Sequence, residues 1–137
     1  PDMTRFMMTL DDAVDLVLFA FENGNPGDIF VQKSDSTTIG QLAKTMKKIY
    51  NSSADIINIG IRHAEKMHET LLSKEERLIS EELEHYFRVS ADNRDLNYDK
   101  YFFKGKENKK LEEYNSFNTD RLSEENLLKL LASIGYK

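Results

Sequence analysis

The chain has 137 residues, 39% of them hydrophobic and 31% charged, a composition that fits one folded domain. Nineteen basic residues against 24 acidic ones give a formal charge of −5, the opposite of the basic footprint of a nucleic-acid-binding domain. There is no cysteine, which excludes a disulfide scaffold, a thiolate zinc site, a cysteine nucleophile and an iron–sulfur cluster, and fits a reducing cytoplasm.

No stretch approaches the ~20 apolar residues needed to span a bilayer, and Asp15 and Glu22 interrupt the longest apolar run. No basic-then-apolar leader precedes it, so a cytoplasmic protein with no membrane partner is expected. The chain starts at Pro1 and runs almost at once into structure, which points to a piece of a longer protein.

The first helix is the clearest element. Thr9 caps it, with Asp12 at the capping-box position, and Leu10, Ala13, Val14, Val17, Leu18 and Phe21 form one stripe. Leu16, Phe19 and Ala20 widen that stripe, predicting burial on more than one side. Asn23-Gly24-Asn25-Pro26-Gly27 turns the chain into a short strand over 28–33. A second helix, capped by Thr38 with Gln41 at the box position, is expected to bury Ile39, Leu42, Ala43, Met46 and Ile49. Its Lys44, Lys47 and Lys48 read as a solvated face.

After Asn51-Ser52-Ser53, residues 56–61 (IINIGI) have the composition of a strand. Ser73 with Glu76 marks another helix start, with Leu78, Ile79 and Leu83 available for packing, and 85–89 is a further short strand. From 91 to 118 no period of 2 or 3.6 persists. The aromatics there (Tyr98, Tyr101, Phe102, Phe103, Tyr114, Phe117) mark an arm that packs on something. A last helix starts at Ser123 and buries Leu127, Leu128, Leu131 and Ile134. The expected fold class is α/β, a small mixed α+β lobe of short strands alternating with helices, with a long arm and a terminal helix. The boundaries are 1–90 for the lobe and 91–137 for the extension.

Motifs for self-sufficient catalysis are missing. The sequence holds no G-x-G-x-x-G or G-x-x-x-x-G-K-[ST] loop, no G-x-S-x-G elbow and no Tyr-x-x-x-Lys pair. His63 and His68 are five apart, which turns them away from a shared helical face. Glu65-x-x-His68 lacks the second motif and extra carboxylates of a di-iron site. Ordinary polar histidines and no metal site are the reading, with His85 at a strand edge.

The stronger pattern is Gly60-Ile61-Arg62-His63-Ala64-Glu65, in which a strand ends at glycine and delivers Arg62, with Glu65 three residues on. A guanidinium is a planar fork of donors suited to diphosphate oxygens, and a carboxylate is an acceptor suited to a sugar diol. The plainer alternative is a surface Arg–Glu pair of little energetic consequence. Arg5 is a second phosphate-contact candidate, with a solvated arginine as its alternative.

These residues carry a resemblance. Residues 4–17 (TRFMMTLDDAVDLV), 27–33 (GDIFVQK) and Arg62-His63-Ala64-Glu65-Lys66 with Glu69 resemble the nucleotide-sugar dehydratases of bacterial surface-polysaccharide synthesis. Within them the chain is similar to the capsule-type UDP-N-acetylglucosamine 4,6-dehydratase/5-epimerases, which also go under the name UDP-glucose 4-epimerase. Residues 92–102 (DNRDLNYDKYF) and 114–122 (YNSFNTDRL) resemble the C-terminal extension of that subgroup.

The resemblance implies the C-terminal, substrate-binding portion of an extended short-chain dehydrogenase/reductase. An NADP-binding Rossmann half with the catalytic acid and base would precede it, leaving no cofactor and no catalytic residue in this chain. It also implies that Arg5 and Arg62 contact the UDP diphosphate from two sides and that Glu65 contacts the uridine ribose. Phe117 stands where such relatives carry histidine. The implied reaction is oxidation at sugar C4, loss of water across C5–C6 and hydride return to C6 with inversion at C5. The partners implied are a UDP-sugar (UDP-N-acetylglucosamine foremost), the Rossmann half on an exposed apolar face, and further copies in a homo-oligomer. A UDP-glucose 4-epimerase lobe is the near alternative. A non-enzymatic assembly module, with the aromatic arm docking on a protein, is the distant one.

Overall fold

The structure is a computed structural model describing residues 1–91 and 112–136. Its order is β1 (Thr4–Phe6), α1 (Leu10–Asn23), β2 (Ile29–Gln32), β3 (Ser36–Thr38), α2 (Ile39–Ile49), β4 (Thr70–Leu72), α3 (Lys74–Ile79), β5 (Ser80–Glu82), β6 (Tyr86–Val89), β7 (Tyr114–Asn115) and α4 (Glu124–Ser133). This is the mixed α/β architecture expected, with short strands and helices alternating. The strands form three small antiparallel sheets, β1–β3, β2–β6–β5 and β4–β7. A parallel bridge from Ser36 to Arg121 ties the first sheet to the approach of α4.

The helix starts follow from their caps. At Thr9 and at Ser73 both halves of the capping box are formed, with Asp12 and Glu76 returning to the cap amide. Thr38 accepts from the Gln41 amide, but the Gln41 side chain donates to the Leu122 carbonyl at 2.9 Å instead of closing the box. Ser123 caps α4 by accepting from Asn126.

Two apolar clusters hold these pieces. In one, Val31, Leu72, Phe87 and Val89 pack with Tyr114, whose ring lies 5.1 Å from that of Phe87 and 5.2 Å from that of Phe6. The Tyr114 hydroxyl accepts from the Ser34 amide at 2.9 Å and donates to the Ser34 carbonyl at 3.1 Å. In the other, Leu122, Leu127 and Leu131 meet Met7 and the α2 residues Leu42, Met46 and Ile49. The described end of the arm therefore packs on the lobe itself. Residues 92–111, with Tyr98, Tyr101, Phe102 and Phe103, lie outside the described residues.

Several expectations are corrected. No residue of α1 is buried, and the predicted stripe faces outward, with Leu10 80% and Phe21 83% exposed. The side that packs is the one carrying Leu16, Phe19 and Ala20. Phe19 sits 4.5 Å from the Tyr86 ring and 5.6 Å from the Phe30 ring. At 100° per residue these two sets lie on nearly opposite sides of the helix, so the wide apolar stripe is two faces with one partner. Residues 56–61 are not a strand, because no neighbour offers them a ladder, and all of them are exposed. Ile39, Leu78, Ile79 and Ile134, expected to pack, are also exposed. Strands β1, β3, β4, β5 and β7 are too short to announce themselves by periodicity.

Asp28 ties the turn after α1 to β6. Its carboxylate accepts from the Asn25 amide at 2.9 Å, from Arg88 Nε at 2.8 Å and from the Ala91 amide at 3.3 Å. The Asn25 amide is the largest influence holding this carboxyl below its ordinary range. Burial opposes it, and Arg88 and Ala91 add to it. A depressed folded-state pKa means the stabilisation is complete above the unfolded value and is lost as pH falls through the folded one. Thermal melts of the protein should therefore fall as pH drops below about 4. Asp28→Asn should be less stable at neutral pH and show a flatter acid limb. Tyr114→Phe, which leaves both polar groups of Ser34 without that hydroxyl, should cost about 1–2 kcal/mol in urea unfolding.

Candidate functional site

A cavity of about 670 Å³ opens between the start of α2, the chain entering β1, and the segment 56–67. Its volume is in the range of small-molecule sites. Arg5, Arg62 and Glu65, the three residues singled out from the sequence, all line it. Met3, Ile39, Gly40 and Ala43 form one wall and Ile56, Ile57, Ile59, Ile61 and Met67 another, so charged groups meet an apolar surround.

The local chain path explains how Arg62 and Glu65 come together. Gly60 adopts φ +78°, a conformation that favours glycine, and its amide donates to Asn58 Oδ1 at 2.9 Å. The next turn is closed by the Glu65 amide donating to the Arg62 carbonyl at 3.1 Å, with Ala64 at φ +71°. The Glu65 carboxylate folds back, Oε2 accepting from the Arg62 amide at 2.9 Å. A tight turn, not a strand end, sets the three-residue spacing. The Arg62 guanidinium has no hydrogen bond or ion pair among the described residues.

Arg5 is not a solvated arginine. Its guanidinium donates to the carbonyls of Thr4 at 2.6 Å, Lys66 at 3.0 Å and Met67 at 3.4 Å, and Nε lies 3.4 Å from Glu69 Oε1. Glu69 was noted in the sequence only as part of a motif. Its partnership with Arg5 spans 64 positions and carries no local signal. The wall from α2 was likewise missed, although a glycine in the first helical turn was the available clue. A Cβ on Gly40 would meet the Pro1 carbonyl oxygen at 3.0 Å.

Behind the cavity lies a buried polar network. Thr4 Oγ1 is 2.8 Å from His68 Nδ1 and 2.6 Å from Ser116 Oγ, and Ser116 Oγ accepts from the Glu69 amide at 2.9 Å. The His68 ring lies 4.8 Å from that of Phe117, tilted 48° to it. His68 is thus held in a hydrogen-bonded and aromatic setting. Among the described residues no group of three or more His, Asp or Glu is placed to hold a metal ion. No described helix is long and apolar enough to cross a membrane.

Comparison with known proteins adds the family. Residues 1–91 match the profile of a family described as polysaccharide biosynthesis protein, and residues 92–136 match one described as polysaccharide biosynthesis protein C-terminal. Curated proteins named UDP-glucose 4-epimerase from Rickettsia rickettsii (strain Sheila Smith) and Rickettsia bellii (strain OSU 85-389) are each 53% identical over 137 residues. The match takes in 99% of this chain and 40% of those proteins. The chain therefore spans about two fifths of the length of the curated relatives it matches. The X-ray structure of Pen from Bacillus thuringiensis superposes with a TM-score of 0.79 at 26% identity, over 98% of this chain and 38% of that one. With its first 91 residues matched by one profile and nearly all the rest by the companion profile, the chain belongs to the polysaccharide biosynthesis protein family.

Proposed function

We propose that this chain forms the UDP-sugar-binding wall of a nucleotide-sugar dehydratase or epimerase of surface-polysaccharide synthesis. The observation that carries the reading is the Arg62 guanidinium, without a partner among the described residues, and the carboxylate of Glu65, set by one turn on an isoleucine-lined cavity. A diphosphate takes the guanidinium fork, the ribose diol takes a carboxylate oxygen of Glu65, and the isoleucines of 56–61 offer apolar contact beside them. Arg5 borders the same space. Rigid placement of the nucleotide handle contributes to catalysis by holding the sugar in reacting geometry.

The sugar we favour is UDP-N-acetylglucosamine, with 4,6-dehydration and 5-epimerisation as the outcome. A UDP-glucose 4-epimerase outcome is the near alternative, favoured by the printed names of the Rickettsia relatives. The sequence has no glycine-rich strand-to-helix loop and no Tyr-x-x-x-Lys pair, so its residues do not fit a nicotinamide dinucleotide. NADP and the acid and base are assigned to the part of the relatives that this chain does not span. The exposed stripe of α1 is assigned to contact with that part.

Titration of the protein with UDP or UDP-N-acetylglucosamine should give saturable binding, millimolar or tighter. Arg62→Ala should weaken it about 10- to 100-fold, the effect of losing a charge-assisted contact. Absence of binding, with oligomers that depend on the arm over 91–118, would favour an assembly module instead. In light scattering the protein should self-associate with concentration, and Phe21→Asp should reduce that association. A strictly monomeric protein at high concentration would count against the assignment of the α1 stripe.

A further inference from the structure

The resemblance makes Arg5 a phosphate contact, but its donors are largely engaged. A guanidinium has five N–H groups. Nη1 reaches the carbonyls of Thr4 and Met67, Nη2 reaches the carbonyl of Lys66, and Nε forms an ion pair with Glu69 at 3.4 Å. Arg62, in the segment 56–67 that lines the same cavity, has its whole fork available among the described residues.

The loop it touches needs anchoring. From Ala54 to Glu65 every hydrogen bond among the described residues is local, joining residues no more than three apart. The first ties from this loop to the body of the fold come at Lys66 and Met67. There the Arg5 guanidinium takes both carbonyls, and the Thr4 amide donates to Met67 at 2.9 Å. The turn before this anchor holds a non-glycine residue at positive φ, Ala64, a conformation that persists only when its surroundings impose it.

We propose that Arg5 is a positioning residue, clamping the Lys66 and Met67 carbonyls to β1 so that the turn bearing Arg62 and Glu65 is held over the cavity. Glu69, which does not line the cavity, orients the clamp through Nε. This inference rests on the proposed UDP site, and it changes the role of Arg5 within that site. Lysine keeps the charge but cannot hold two adjacent carbonyls and a carboxylate with one planar group.

The test compares uridine with UDP as probes on wild type, Arg5→Lys and Glu69→Gln, at a temperature well below each variant's melting point. A positioning role predicts that Arg5→Lys weakens uridine as well as UDP, uridine about tenfold through displaced Glu65 and UDP by more, because Arg62 is displaced with it. Glu69→Gln should give a smaller loss that is again seen with both probes. If UDP weakens while uridine is unchanged, Arg5 is a phosphate ligand and the inference is overturned. If wild type binds neither probe, the proposed UDP site fails. The clamp is then decided by amide exchange of Arg62 and Glu65 without ligand: faster exchange in Arg5→Lys supports it, and unchanged exchange overturns it.

Discussion

Thr4 is the point on which the arrangement depends. This fully buried residue donates its amide to the Met67 carbonyl, while its hydroxyl joins His68 and Ser116. One residue in a three-residue strand thereby connects the loop under the cavity, the segment after the arm, and the sheet shared with β3. A buried polar group without its partners is costly, so these contacts stand or fall together. Arg5 follows Thr4 in the chain, and its reach to the loop depends on the same strand being in place. The cavity is thus supported less by its own walls than by a hydrogen-bonded knot behind it.

Helix α1 illustrates a different constraint. One side, through Phe19, settles on the aromatic rings of β2 and β6, and the opposite side leaves Leu10, Val14, Val17, Leu18 and Phe21 exposed to water. The helix is held well at its start by a full capping box and at its end by the Gly24 amide returning to Ala20. Its exposed side is therefore regular structure presenting an apolar surface, with no compensating contact among the described residues. Such a surface is rarely left open in a monomeric protein.

Much of this was legible in the sequence because it is local. The caps at Thr9, Thr38, Ser73 and Ser123 each follow from a hydroxyl three residues before the amide that donates to it, and the strands at 29–32 and 86–89 follow from β-branched and aromatic runs. The three-residue spacing of Arg62 and Glu65 is local too, but the sequence suggests a strand end where the structure has a turn. What failed was non-local. Residues 56–61 have strand composition without a ladder, and composition cannot supply a neighbour. Which side of α1 would be covered, and that Arg5 would meet Glu69, depend on residues tens of positions away. Strands of two to four residues pass below any periodic signal.

The two ends of the chain are interleaved: Tyr114 grips Ser34, Ser36 bridges Arg121, and Ser116 joins Thr4 across 112 positions. Contacts this distant must close large loops before they repay the ordering they demand, which slows the search for the native state. On a ribosome, β1 and β3 would emerge early and wait, their polar groups unsatisfied, until residues 114–122 had left the exit tunnel. Maturation of the cavity is for that reason a late event in synthesis, although its lining lies in the first half of the chain.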